Sequence, residues 1–310
     1  MAAESASLSV QLGPLTLKNP VLAAAGTFGY GLEFQEFFDL SVLGGIITKT
    51  LTLSARPGNA SPRVVETPSG MLNAVGLQNV GIDAFLAEKW TALRALNIPV
   101  IVSVAGFTKE EFVALARKVE GCGAVALELN LSCPNVSHGP GARCFAQVPQ
   151  ETADVLRAVR QVTRLPLIAK LSPEVSDVGV VARAAAEGGA DILSLINTLP
   201  GMVIDIETER PVLSNMIGGL SGPAMHPIAV RCVWEAAEAV RTPIIGLGGV
   251  TSGKDALELI LAGASAVGVG TASFWNPRAP KIILDELASL VRQKGRSIQA
   301  LTGAARKTAA

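Results

Sequence analysis

Eight short runs rich in β-branched and aliphatic residues recur along nearly the whole chain, separated by stretches with helical patterning. They fall at 21–26, 45–50, 100–106, 124–130, 167–172, 191–198, 244–250 and 266–271. Several, such as PVIVSVAG and PLIAKLSP, are apolar on both faces, as parallel strands covered by helices require. The intervening stretches carry apolar residues at three-to-four spacing, for instance Phe85, Leu86, Trp90, Leu93 and Leu96, or Phe112, Leu115, Ala116 and Val119. Strand entries alternate between a proline (Pro99, Pro166, Pro243) and a Gly-Ala pair (Gly123-Ala124, Gly189-Ala190, Gly263-Ala264). This weak internal repeat holds two strand–helix units per interval. Simple loop punctuation would not alternate in that way. Consecutive βα units with right-handed connections close into a (β/α)₈ barrel of the α/β class, a TIM barrel.

Additions to that barrel are visible. Residues 8–10 and 15–17 around Gly13-Pro14 suggest an N-terminal hairpin that plugs the barrel bottom before the first strand. Segments 51–80, 131–150 and 199–225 follow strands two, four and six, and are too long for ordinary βα loops. Long structured loops at that face usually carry function. A chain of 310 residues fits one domain, taken as 1–301, with TGAARKTAA at 302–310 as a flexible tail.

Composition serves mainly to exclude. At 49% apolar and 17% charged, the chain is not disordered. Its 26 basic and 26 acidic residues balance, against the basic excess of a nucleic-acid surface. No apolar segment approaches the roughly 20 residues of a membrane span. The opening MAAESASLSV has no basic region leading into an apolar core, so a cytoplasmic, reduced protein is expected. Four cysteines, at 122, 133, 144 and 232, form no CxxC pair, so neither a zinc site nor a disulfide framework is expected. Two histidines, His138 and His226, exclude a multi-histidine metal site and assign proton chemistry to another residue type.

Active-site residues of such barrels come from the C-terminal ends of the strands. The polar residues there are Lys49 after strand two, Asn130, Ser132, Cys133 and Asn135 after strand four, Lys170 in strand five, and Asn197 with Thr198 after strand six. Two lysines in otherwise apolar strands are the sharpest anomaly, because a buried lysine needs an anion or gives up its proton. Snorkelling to solvent is the alternative, and it fits poorly where ITKT and IAKL run directly into the loop face. Gly248-Gly249 and Gly270-Thr271 end strands seven and eight, the usual place of a phosphate in these barrels. Glycine admits close backbone approach, and exposed N–H groups bind phosphate; a tight turn is the competing reading of either pair alone.

Residues 19 to about 295 resemble the class 1 dihydroorotate dehydrogenases, the FMN enzymes of pyrimidine synthesis. The resemblance rests on ETPSGMLNAVGLQN at 66–79, ELNLSCPN at 128–135, INTLPGM at 196–202, GGLSGPA at 218–224 and PIIGLGGV at 243–250. The GGLSGPA and NAVGLQN stretches are most similar to the B subtype, whose FMN chain works with an electron-transfer chain. The amphipathic N-terminal extension and serine base typical of the membrane-bound class 2 enzymes are not found.

The resemblance implies that a proton leaves C5 of dihydroorotate and a hydride leaves C6 for flavin N5, giving orotate. Cys133 matches the family's base, a thiol whose ordinary pKa of about 8.5 serves if the thiolate is favoured locally. Substrate contacts would come from Lys49, Asn73, Asn130, Asn197 and Thr198, with backbone groups of Ala74, Val75, Gly76 and Leu77 on the carboxylate side. Asparagine suits a ring whose edges alternate N–H and C=O. FMN contacts would come from Ala25, Lys49, Thr50, Ser103, Asn130, Lys170, Ile196, Gly222, Gly248, Gly249, Gly270 and Thr271. Lys170 would lie near the flavin N1–C2=O edge, where negative charge collects on reduction, and Lys49 would bridge flavin and substrate. Ala25 and Ser103 stand where relatives often present serine and asparagine side chains. Cys122 and Cys232 read as core residues, and Cys144 has no assigned role.

The subtype further implies a homodimer within a heterotetramer, with FAD and a 2Fe–2S cluster on the partner chain and NAD⁺ as acceptor. A cluster takes four cysteine-type ligands, which this chain's own cysteines do not arrange. Three alternatives remain: a stand-alone A-type enzyme using fumarate, a flavin-free phosphate-binding lyase or isomerase, and a non-catalytic binding protein.

Overall fold

The computed structural model describes residues 7–132 and 144–307. Its centre is a closed barrel of eight parallel strands: β1 Val21–Ala23, β2 Gly45–Ile47, β3 Val100–Val104, β4 Ala126–Asn130, β5 Leu167–Lys170, β6 Ile192–Leu195, β7 Ile244–Leu247 and β8 Ala266–Val269. Each pairs with its successor, and β8 closes on β1 through the register Val267↔Val21.

Both kinds of strand entry have a structural reason. Proline has no N–H to give a ladder, but its carbonyl remains. Pro99, Pro166 and Pro243 each use that carbonyl to accept from the neighbouring strand, from Ile46, Leu127 and Leu193, all at 2.9 Å. Gly123, Gly189 and Gly263 adopt φ of 95°, 101° and 137°, a region that side chains avoid. They turn the chain from a helix end back into the sheet.

The covering helices are α1 Ile82–Glu88, α2 Trp90–Arg94, α3 Lys109–Val119, α4 Pro149–Arg160, α5 Val178–Glu187, α6 His226–Ala239, α7 Gly253–Ala262, α8 Ala272–Trp275, α9 Ala279–Lys294, α10 Ile298–Leu301 and α11 Ala304–Lys307. Side chains cap several of them: Thr108 accepts from Glu111 N, Asp177 from Val180 N and Ser252 from Asp255 N. The first crossover departs from the repeat. It contains two 3₁₀ turns, Leu32–Phe34 and Leu40–Val42, and no α-helix. Gly29 and Gly31 lie at positive φ there, and Phe28 stacks on Phe34 with ring centroids 3.7 Å apart.

The N-terminal hairpin is present, with its first arm at Val10–Leu12 rather than 8–10, paired with Leu15–Leu17. Leu12 and Leu17 are buried, and Gly13 sits so near β6 that an added Cβ would lie 3.0 Å from the Asp191 carbonyl. The hairpin therefore packs at the N-terminal end of the barrel, where the plug was expected. At the other terminus, where the sequence suggested a flexible tail, residues 304–307 form α11 and Gly303 N–H donates to Ile260 O at 2.9 Å. Residues 308–310 lie outside the described residues.

The excursions after β2 and β6 are joined. Strands Leu199–Gly201, Gly218–Ser221, Gly70–Asn73 and Val64–Thr67 form, in that order, a four-stranded antiparallel sheet. This sheet fixes Asn73 and Thr198 relative to each other across more than a hundred residues of chain.

Candidate active site

One cavity opens at the C-terminal ends of the barrel strands, and most of the residues singled out from sequence line it. The first barrel strands bring Ala25, Lys49 and Thr50; the sheet between the excursions brings Asn73, and the turn after it Val75, Gly76 and Leu77. Asn130 and Lys170 are paired residues on β4 and β5, so they face the cavity side by side. Ile196, Asn197 and Thr198 follow β6, Gly222 precedes α6, and Gly248, Gly249, Gly270 and Thr271 follow β7 and β8.

The two lysines set the electrostatics. Lys170 is only 7% exposed, and among the described residues no carboxylate pairs with it. Lys49 is half-buried and likewise has no ion-pair partner among those residues. Burial pulls the Lys49 ammonium below the usual lysine range; the Arg63 charge adds to this and Glu33 opposes it. Two desolvated cations facing one cavity call for an anionic ligand.

Backbone donors gather at two ends of the cavity. Gly76 and Leu77 have φ of 75° and 55°, and a leucine in that region is held there against steric preference. Among the described residues the N–H groups of Val75, Gly76 and Leu77 meet no protein acceptor. Successive N–H groups in this conformation form an anion-binding concavity. At the opposite end, the N–H groups of Gly249, Gly270 and Thr271 also have no protein partner among these residues. An added Cβ on Gly26 would meet nothing within 4 Å, and one on Gly270 nothing nearer than 3.8 Å, so both glycines leave open space on the cavity side. Gly248 and Gly249 are glycines for a different reason. A Cβ there would press on Ala229 at 2.7 Å and on the Gly222 carbonyl at 2.8 Å, because α6 packs against this loop. His226 secures it, with Nδ1 3.0 Å from Gly248 O and Nε2 3.1 Å from Glu258.

The polar floor is a connected set. Asn197 Nδ2 donates to the Ser132 carbonyl at 3.0 Å and to Ser132 Oγ at 2.9 Å, which fixes the chain immediately before Cys133. Asn130 Nδ2 donates to Thr50 Oγ1 at 3.3 Å, and Asn73 Nδ2 to Gly219 O at 3.4 Å. The glycine cradle, the buried Lys170 with no carboxylate partner among the described residues and the N–H groups without acceptors among them fit a flavin nucleotide with its phosphate at the β7–β8 end.

Two expected contacts are not on the cavity wall. Ser103 is fully buried and its hydroxyl is engaged by Glu128 at 2.8 Å and Thr50 at 3.0 Å, so it turns into the barrel. Ala74 is also buried; its N–H donates to Arg63 O and its carbonyl accepts from Asn59, both at 2.8 Å, so it braces the turn rather than lining the site. The proposed base, Cys133, lies outside the described residues, as do Asn135 and His138. The other thiols are unsuited to that role. Burial raises the pKa of Cys122 and Cys232, and that of Cys144 to about 11.

Sequence reasoning missed Thr27, Gln78, Ser221 and Phe274, which also line the cavity, and Glu128 beneath it. Ser221 and Gln78 lie inside the quoted motifs and could have been found there. Nothing local marks Thr27 or Phe274.

Comparison with known proteins agrees with this geometry. Residues 7–291 match the family model described as dihydroorotate dehydrogenase. A protein of Citrifermentans bemidjiense named dihydroorotate dehydrogenase B (NAD(+)), catalytic subunit, is 51% identical over 96% of this chain and 97% of its own length. A protein of the same name from Desulforudis audaxviator is 52% identical over 97% of this chain and 98% of its own. The crystal structure of DHODH from Eimeria tenella in complex with ferulenol shares the fold, with a TM-score of 0.81 at 24% identity, covering 99% of this chain and 90% of that one.

Proposed function

This chain belongs to the dihydroorotate dehydrogenase family, and from that premise we propose that it is the FMN-binding catalytic subunit of an NAD-linked enzyme oxidising dihydroorotate to orotate in pyrimidine synthesis. The observation that carries the site assignment is the pair Lys49 and Lys170, two cations at one cavity with no carboxylate partner among the described residues.

Bound FMN would accept the hydride that leaves substrate C6. The substrate carboxylate fits the N–H groups of Val75, Gly76 and Leu77 together with the Lys49 ammonium. Asn73, Asn130, Asn197 and Thr198 present donors and acceptors to the ring edges. Cys133 takes the proton from C5, and Asn197 supports that step by holding the Ser132 carbonyl next to it. Lys170 supplies the positive charge at the edge where reduction places electron density. Ala25, Thr50, Ile196, Gly222, Gly248, Gly249, Gly270 and Thr271 enclose the ribityl chain and phosphate.

We place FAD and the 2Fe–2S cluster on a partner chain, which passes electrons to NAD⁺, with two FMN chains paired in a heterotetramer. Among the described residues no group of three or more His, Cys, Asp or Glu could hold a metal ion. No described helix is long and apolar enough to cross a membrane. A single barrel domain acting in the cytoplasm is the arrangement this reading requires.

The test is anaerobic mixing of the purified, FMN-loaded chain with dihydroorotate. Flavin absorbance should bleach, while NADH should form only after the partner is added. In Cys133→Ala, FMN should remain bound and bleaching should slow by about 100-fold or more, the usual share of a positioned base. A preparation that stays colourless after FMN addition would overturn the flavin reading. NADH made by the single chain would remove the partner, and turnover with fumarate would move the chain to the A subtype.

A further inference from the structure

Glu128 is 1% exposed inside the barrel, and the functional reading above does not use it. Its register partner is Ser103 on β3, and it precedes Asn130 by two residues on β4, so both project to the same face. We propose that Glu128 is a positioning residue that fixes which way the Asn130 amide is turned toward the substrate. This rests on the reading of the cavity as the flavin and orotate site.

Ser103 O–H donates to Glu128 Oε1 at 2.8 Å. The Ser103 oxygen is then left to accept from Thr50 O–H at 3.0 Å, a contact whose direction geometry alone leaves open. The Thr50 oxygen in turn accepts from Asn130 Nδ2 at 3.3 Å. Each link takes its polarity from the one below. Asn130 Oδ1 is thereby directed to the opposite side, where Ser132 Oγ lies at 3.4 Å and Asn197 Nδ2 at 3.5 Å. An asparagine amide is nearly symmetric in shape, so only its hydrogen-bond network can set its orientation. A ring with alternating N–H and C=O edges distinguishes the two orientations.

A purely structural role explains Glu128 poorly. Among the described residues its Oε2 is buried with no hydrogen-bond partner, a burden that an apolar side chain of similar volume would not carry. A neutral amide at the same place could donate to Ser103 as well as accept, and the chain could then run in either direction.

The experiment uses the FMN-loaded protein and compares wild type with Glu128→Gln, Ser103→Ala and the double variant. FMN content is read from absorbance, and orotate affinity from the perturbation of the flavin spectrum. Glu128→Gln should retain FMN and bind orotate roughly tenfold more weakly, the scale of one mismatched buried polar contact. Ser103→Ala should give a similar loss, and the double variant should be no weaker than the worse single one, because both act through one chain of bonds. Unchanged orotate affinity in both single variants, or losses that add, would overturn the proposal. If Glu128→Gln loses FMN, Ser103→Ala decides by the same criterion. Wild-type protein that takes up no FMN, or whose flavin does not respond to orotate, would bring down the functional reading itself.

Discussion

Lys49 shows how a side chain can oppose folding and still suit a site. Burial and the neighbouring Arg63 charge hold its pKa below the ordinary 10.5, so the folded chain binds its proton less tightly than the unfolded chain does. The resulting penalty is complete below the folded-state pKa, shrinks as pH rises through it, and is gone above 10.5, so stability gains with rising pH across that alkaline window. Lys49→Met should therefore raise the Tm of the ligand-free protein at neutral pH by roughly a degree or more, with the gain fading toward alkaline pH. The same variant should bind orotate at least about tenfold more weakly, since the charge-assisted contact proposed between Lys49 and the carboxylate would be lost. Thermal melts over a pH series and orotate titration check the two halves. A lower Tm at neutral pH would show that Lys49 has a stabilising partner in the folded state.

At the scale of elements, the sheet built from the excursions after β2 and β6 ties the geometry around Asn73 and Thr198 to glycine. Gly218 and Gly219 run alongside Asn73, and a Cβ on Gly219 would collide with the Thr198 side chain. Gly219→Ala should displace Thr198 while leaving the phosphate end untouched. Its kcat/KM for dihydroorotate should fall by about 10- to 100-fold, the effect of a sub-ångström to ångström misplacement, with FMN content unchanged. Loss of FMN together with activity would mean that the sheet supports the whole cavity. This sheet was not legible in the sequence, because pairing 64–73 with 199–221 depends on register between distant segments. In the first crossover, where the strand–helix repeat implies a helix, Gly29 and Gly31 at positive φ and the Phe28–Phe34 stack accompany 3₁₀ turns instead. Six of the eight barrel strands, β3 to β8, were legible at their starts, because a proline carbonyl or a left-handed glycine marks each one locally. Lys49, Lys170, Asn130 and Asn197 stood out as polar groups in or just after apolar strands. Ser103 and Ala74 did not separate from them, since only tertiary contacts show that Glu128, Thr50, Asn59 and Arg63 already engage them.

For the whole molecule, the barrel divides its tasks between two ends. Among the described residues, the cavity opens at the C-terminal ends of the strands, while the N-terminal hairpin seals the opposite end with Leu12 and Leu17. That separation follows from parallel strands, whose loops of one kind all emerge on one face. Residues at the sealed end should then affect stability without affecting ligand. Leu12 is fully buried, so Leu12→Ala removes apolar contact and leaves a cavity that neighbours refill only in part. The expected loss is about 2–5 kcal/mol, enough to lower Tm by several degrees. Below the transition, FMN content and orotate affinity should match wild type, because no strand need shift at its other end to accommodate the missing methyl groups. Calorimetry and orotate titration on one preparation make the comparison. An orotate affinity that falls in step with Tm would show that the two ends are mechanically coupled through the barrel.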